Sequence, residues 1–220
     1  SSNHSTNIYG NNNLNYNLIN KNKQNYKNIE YVSLFGNILY RNKMYKQCLS
    51  IYNEFKMNNA NIKVHNGLLF DQWYINVGKC YEILNQYHPA LEIYHNIKNK
   101  IDKHYYKARL YHKRQELTLS MNCYQILLSK KIECKYMETL YNIHYSILLI
   151  QTENRLNKAI KILSNVAKNP PKYIESHVFY YLGYCYQFNK QYNSAKECYQ
   201  KSIKYYNENK YYKGNIVYEM

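Results

Sequence analysis

One spacing constrains this chain more than any other feature. In YYLGYCYQFNKQYNSAKECYQKSIKYY, residues 180–206, Leu182 and Gly183 precede Tyr186, and Tyr192, Ala195 and Tyr199 follow. The same order returns in VGKCYEILNQYHPALEIY, with Val77, Gly78 and Tyr81 before Tyr87, Ala90 and Tyr94. It returns again in FGNILYRNKMYKQCLSIY, with Phe35 and Gly36 before Tyr45, Cys48 and Tyr52. Where two helices cross, a small residue lets the backbones approach, and large rings one turn away fill the grooves beside them. The pattern therefore assigns Tyr186, Tyr192 and Tyr199, with their counterparts, to the interior.

Two further stretches are worn. LNKAIKIL keeps only the second-helix residues Leu156, Ala159 and Leu163. ARLYHKRQELTLSMNCYQILL admits two registers. In one, Ala108 takes the Gly position and Ser120 the Ala position; in the other, the frame moves on by three. The first is preferred because Ala108, Tyr111 and Tyr124 then all match.

Between these signatures the chain is poor in breakers, with three prolines and six glycines in 220 residues. Amphipathic segments predict helices near 30–41, 45–57, 68–84, 87–99, 102–114, 118–131, 136–151, 155–168, 173–188 and 191–206. Residues 1–28 include eleven asparagines and carry no apolar period, so a disordered low-complexity leader is expected there. Residues 57–67 read as a polar insert. Residues 207–220 are expected to hold a capping helix or the start of a further repeat. The chain begins at Ser1, which fits a piece of something longer.

Leu182, Gly183 and Tyr186, followed by Tyr192, Ala195 and Tyr199, resemble the tetratricopeptide repeat over roughly residues 29–206. The resemblance implies an all-α fold: a right-handed superhelical array of about five antiparallel helix pairs. It also implies a function, namely binding other proteins in a concave groove lined by the first helix of each pair. The candidate contacts are Asn37, Tyr40 and Arg41 from the first pair and Ile75, Lys79 and Glu82 from the second. The fifth pair offers His177, Tyr180, Tyr184, Gln187 and Phe188. Among the rings of that pair, Tyr180, Tyr184 and Phe188 are the ones expected to face a ligand.

Within the family, FGNILYRNKMYKQCLSIYNEF, a polar insert and VGKCYEILNQYHPALEIYHNI resemble the start of the anaphase-promoting complex's tetratricopeptide subunits, closest to subunit seven. That likeness implies a scaffold arm of a cell-cycle ubiquitin ligase, pairing with other repeat subunits or with itself. A second class, the co-chaperones, clamps the acidic tail of a chaperone. Asn37 and Asn76 fit its pattern, but Ser33 stands where a lysine is needed. Arg109 fits only in the rejected register, with Tyr105 then replacing the other lysine. A third class is a repeat subunit of a transcription or RNA-processing complex, for which the net charge of +16 is the hint.

That charge favours acidic partners, nucleic acid included. Its scatter along the chain, and the over-use of Lys, Asn, Tyr and Ile together, weigh against a dedicated nucleic-acid surface. The six cysteines form no CxxC pair and the eight histidines no HExxH. With no phosphate loop and no Ser-His-Asp set, no cofactor, metal or catalytic residue is assigned. Cys80 and Cys185 share one repeat position, which points to packing. Free thiols fit a reducing intracellular compartment, cytoplasm or nucleus, and no run is long enough for a membrane span.

Overall fold

The computed structural model describes residues 29–58, 67–153 and 155–209. The expected leader, most of the polar insert and the end of the chain lie outside them. The described residues form ten α-helices and no strand. They are α1 Ile29–Arg41, α2 Tyr45–Asn58, α3 Gly67–Ile83, α4 Tyr87–His95, α5 Lys100–Lys113, α6 Leu117–Leu128, α7 Lys135–Glu153, α8 Leu156–Ala167, α9 Glu175–Phe188 and α10 Tyr192–Asn209. The fold class is the all-α one that the repeat spacing implies.

The chain divides into two compact units at Lys103 and His104, where the sequence suggests one array. In the first, α1 packs on α2 and α3, and α3 on α4. Trp73 of α3 is its centre. Its indole meets Tyr52 edge-on at 5.2 Å and Phe55 at 5.4 Å. In the second, α6 to α10 pack in sequence order, and α7 also touches α9. Leu148, Leu163, Val178 and Cys185 are fully buried there.

Four pairs are joined by one turn. Lys43, Asn85, Gln115 and Lys190 adopt the left-handed conformation, with φ of 59°, 59°, 62° and 59°. Around each, the same two bonds close the first helix: Lys43 N to Tyr40 O with Met44 N to Leu39 O, and Lys190 N to Gln187 O with Gln191 N to Tyr186 O. Asn85 and Gln115 repeat them on Glu82, Tyr81, His112 and Tyr111. This is the Schellman stop, made here without the glycine that normally supplies it. Because the turn is constant, Gly36, Gly78, Ala108 and Gly183 fall at one place before it and Cys48, Ala90, Ser120 and Ala195 at one place after it.

The helix limits differ from the expected ones where a polar side chain intervenes. The helix expected to reach residue 99 ends at His95. The buried Asp71 carboxylate takes the amides of Lys98 and Asn99 at 2.7 and 2.8 Å. Asn99 Oδ1 in turn accepts from the amides of Ile101 and Asp102, starting α5. Helix α6 stops at Leu128, where Ser129 Oγ donates to Ile126 O at 2.9 Å. Helix α9 starts at Glu175 because Tyr173, after Pro170 and Pro171, has φ 75°. Helix α10 runs on to Asn209, past the expected limit at 206.

Candidate functional site

The small-residue positions come first, because they position everything else. A Cβ on Gly78 would stand 2.6 Å from Tyr94 Cζ and closer still to Cε1. A Cβ on Gly183 would stand 3.0 Å from Tyr199 Cδ1 and 3.2 Å from the Ala195 carbonyl. Gly36 serves a different neighbour: the nearest atom is Trp73 Nε1, at 2.8 Å, with Cys48 Sγ at 4.0 Å. There the missing side chain admits the indole of the next pair. Ser120 Oγ donates to Ala108 O at 2.8 Å, the geometry of the register that puts Ala108 and Ser120 at the crossing. Ala159 and Leu163 are fully buried.

The fourth pair hid its own small residue. The bond that closes α7, Arg155 N to Leu149 O, spans six positions, where the equivalent bonds span five. The register shifts by one, and Ser146, fully buried, takes the place of glycine. Nothing in the sequence flags it except that extra residue.

The rings mostly follow the pattern. Tyr52, Tyr94 and Tyr124 are buried; Tyr45, Tyr81, Tyr87, Tyr111, Tyr186 and Tyr199 are half-buried, and Leu182 is buried. Tyr192 departs from it. It is 65% exposed, whereas its counterpart Tyr45 leans on Tyr40 at 5.9 Å. Its ring borders a cavity with Gln187, Ala195, Lys196 and Tyr199. Cys80 and Cys185 are fully buried, and burial pushes the Cys185 thiol up to about 12. These are packing atoms at neutral pH, not nucleophiles. The described cysteines are all free.

The groove candidates scatter. Ile75 is 5% and Glu82 7% exposed, so neither can meet a partner as α3 stands. Glu82 is engaged inside its own pair, where its carboxylate accepts from the Tyr94 hydroxyl at 2.5 Å. Gln187 stands at the equivalent position in α9 and accepts from Tyr199 at 2.7 Å. A ring one turn past the small residue thus reaches back to lock its own pair. Asn37 and Asn76 are half-buried and buried. Asn76 Nδ2 donates to Asn37 Oδ1 at 2.6 Å, while Gln72 donates to Asn76 Oδ1 at 3.2 Å. These bonds engage Asn37 Oδ1 and both polar atoms of Asn76, the two amides that fit the acidic-tail pattern, and Ser33 is buried. Arg41 is exposed, and Tyr40 and Lys79 are half-buried.

The fifth-pair candidates do not share one surface. Tyr180, 48% exposed, turns toward α10 and meets Tyr199 at 5.9 Å. With His177, Ser202, Ile203 and Tyr206 it lines a cavity of about 310 Å³. Tyr184 lies on the side of α7 and meets Phe188 of its own helix at 4.6 Å, the rings tilted by 46°. It shares a second cavity, of about 300 Å³, with His112, His144, Ile147, Ile150, Gln151 and Tyr181. His112 Nε2 donates to Gln151 Oε1 at 2.9 Å beside it. Burial first, then Arg109 and His112, lower the His144 pKa to about 4, so this imidazole is neutral at pH 7. Spacing alone could not find His144, because the position two before the small residue holds Leu34, Asn76, Tyr106 and Tyr181 in the other pairs and so carries no signature.

No group of His, Cys, Asp and Glu able to hold a metal occurs among the described residues. No described helix is long and apolar enough to cross a membrane.

This arrangement of paired helices, small crossings and a first-helix face defines a helical-repeat protein. Residues 176–209, which are α9 and α10, match the family profile described as tetratricopeptide repeat. Among curated proteins, none matches the chain in sequence. Solved structures share the fold. A point variant of nearly identical TPR-like repeats from Podosopora anserina has a TM-score of 0.67 at 10% identity, over 85% of this chain and 98% of its own. BtubC from P. vanneervenii has a TM-score of 0.66 at 13% identity, over 87% and 85%. YrrB, described as a TPR protein with an unusual peptide-binding site, has a TM-score of 0.60 at 18% identity, over 84% and 91%. The α9–α10 pair is thus a tetratricopeptide repeat, and the described helices share the fold of such arrays.

Proposed function

We propose that this chain is a non-catalytic scaffold of the tetratricopeptide type, binding other proteins through the face made by its first helices. The observation that carries the reading is the recurrence of one turn and one small-residue crossing in four pairs. Such a build spends its rings on holding helix pairs together, as Tyr94 on Gly78 and Tyr199 on Gly183 do. What it leaves over is surface. YrrB, similar in fold, is described by its peptide-binding site, and a peptide or a helix laid across the first helices is the occupant this reading names.

The finer reading is a subunit of a large assembly of the anaphase-promoting kind. Its support is the order of motifs from residue 31 to 131, and the half-buried and exposed apolar edges of α9 and α10 suit a chain that continues into partners. Affinity purification of the tagged chain from its own cells, with and without nuclease, tests both levels. Protein partners in fixed stoichiometry, surviving nuclease treatment, are the expected result. Recovery of nucleic acid alone, with binding that falls steeply with salt, would replace the scaffold by a nucleic-acid reading.

A further inference from the structure

One position of the first helix is sealed wherever another pair precedes it within a unit. Two residues after the small residue stand Cys80 in α3, Leu148 in α7 and Cys185 in α9, all fully buried. In α1 the same position holds Ile38, which is 48% exposed. Two residues before the small residue, Asn76 and His144 are buried and Tyr181 is half-buried, whereas Leu34 of α1 is 64% exposed. The second helix of the preceding pair covers these positions: α2 packs on α3, α6 on α7 and α8 on α9. The Cys80 thiol meets Cys48 of α2. The His144 ring stacks on Tyr124 of α6 at 5.6 Å, and Trp73 takes Tyr52 of α2 edge-on. No described helix precedes α1.

The last second helix lacks the matching cover. Four residues after the small residue of a second helix come Tyr52, Tyr94, Tyr124 and Leu163, all buried. Tyr52 and Tyr124 are the rings that Trp73 and His144 of the next first helix take. Tyr199 of α10 holds this position but is only half-buried, and no described helix follows it. With Tyr192, Ala195, Lys196 and Ile203 it lines a cavity of about 380 Å³. Tyr192 and Ile203 are 65% and 61% exposed. Tyr192, Lys196, Tyr199, Ile203 and Tyr206 alternate by four and three residues, the spacing of a seam onto which another helix packs. One first-helix face and one second-helix face are thus open, and the internal junctions show that such faces are each other's mates.

We propose that copies of this chain join end to end, the Tyr192, Tyr199 and Ile203 face of α10 in one copy packing on Leu34 and Ile38 of α1 in the next. The contact repeats between chains the junction that α2–α3, α6–α7 and α8–α9 make within one. Residues 1–28 are a poorer cover for α1, because their eleven asparagines and missing apolar period offer no apolar stripe. The contact is heterologous, so each joined pair keeps an open α1 at one end and an open α10 at the other. Lys196 sets its strength. The residue after the small one is apolar in the other pairs, namely Leu49, Leu91, Met121 and Ile160. A lysine there lays its stem along the contact and carries its charge to the rim, which keeps the association reversible. Leu34 and Ile38 are not groove residues, so the proposal goes beyond the scaffold reading and neither depends on the other.

Sedimentation velocity of the full chain over a concentration series is the test, in about 0.15 M salt so that the net charge of +16 is screened. The expected result is a size that climbs with concentration through dimer and beyond. Ile38→Glu and Ile203→Glu, both at exposed positions, should each stay monomeric alone and form a one-to-one dimer when mixed, because each keeps the face that the other lost. Leu34→Glu takes the place of Ile38→Glu if circular dichroism shows that variant unfolded. Lys196→Leu should tighten the association about tenfold, as burying one apolar side chain does. A chain that stays monomeric to about 1 mM, as it would with residues 1–28 or 210–220 over these faces, overturns the proposal. Association that survives either glutamate variant alone pairs like faces and overturns it, as does a mixture that forms no dimer. A Lys196→Leu chain no tighter than the wild type places that residue outside the contact and counts against it equally. None of these outcomes touches the capture of other proteins, which the affinity purification reads.

Discussion

Ser120 Oγ donates to the Ala108 carbonyl at 2.8 Å, across the point where α5 and α6 touch. The same contact is made by other means in other pairs. Cys48 Sγ reaches the Gly36 carbonyl at 3.5 Å, and the Ala195 carbonyl lies 3.2 Å from where a Gly183 Cβ would be. Three chemically different pairs therefore solve one steric problem, which is to bring two backbones together with no more than a small side chain between them.

Ser120→Ala loses that hydrogen bond but keeps the size that Ala90 and Ala195 have at this position. It is expected to destabilise the fold by about 1 kcal/mol. Ser120→Leu adds bulk at a fully buried crossing, and a loss of about 3 kcal/mol is expected. Urea unfolding of both variants measures the difference. A leucine variant as stable as the alanine one would mean that the crossing has room.

Gly78→Ala and Gly183→Ala should part company. Alanine gains about 1 kcal/mol over glycine in a helix. At Gly78 the new Cβ meets a Tyr94 ring that is fully buried and tied to Glu82, so overpacking wins, with a net loss of about 2 kcal/mol. At Gly183 the nearest atoms are 3.0 Å away in a half-buried Tyr199, and the two effects nearly cancel. Thermal melts that rank Gly78→Ala well below Gly183→Ala are the expected result.

Lys190→Gly should stabilise. Lys190 holds φ 59° between α9 and α10, and a left-handed residue with a Cβ is strained by roughly 1 kcal/mol. Glycine removes the strain and leaves the two closing bonds in place. A gain of about 0.5–1 kcal/mol is expected, since glycine also loosens the unfolded chain. Gln115→Gly should behave alike, and a loss of stability in both would contradict the turn assignment.

Acid should weaken the second unit through His144. Unfolded histidine takes a proton near 6.5, whereas His144 in the fold does so only near 4. Between those values the unfolded chain binds the extra proton, so stability is complete above 6.5 and falls as pH drops toward 4. The span corresponds to about 3 kcal/mol. His177, whose pKa burial also lowers, adds in the same direction. His144→Leu should flatten the stability profile between pH 7 and pH 4 by about that amount, as read from urea midpoints at each pH.

The helix pairs were legible because Gly183 with Ala195, and Gly78 with Ala90, mark a crossing that tolerates few residue types. The register of the third pair followed from the match of Ala108, Tyr111 and Tyr124 to the same positions, and the Ser120 bond to the Ala108 carbonyl has the geometry of that register. Ser146 escaped because one extra residue before Arg155 displaced it from the period. The groove was legible only in outline. Periodicity says which helix a residue is on, not which neighbour its side chain reaches. Ile75, Glu82 and Gln187 therefore read as surface contacts, when the first two are buried and Gln187 accepts from Tyr199. His144 escaped because its repeat position holds a different residue in every pair except the two tyrosines, Tyr106 and Tyr181, and its burial depends on neighbouring helices.

The claim that the first helices bind protein is tested most directly by site-specific photo-crosslinking in cells. A photoreactive residue is placed at Gln151 or Tyr184, beside the α7–α9 cavity, and, in separate proteins, at the exposed Lys161 of α8 or Glu197 of α10. Discrete protein adducts are predicted from 151 and 184 and none from 161 and 197. Adducts confined to 161 and 197, or equal from all four, would contradict the claim.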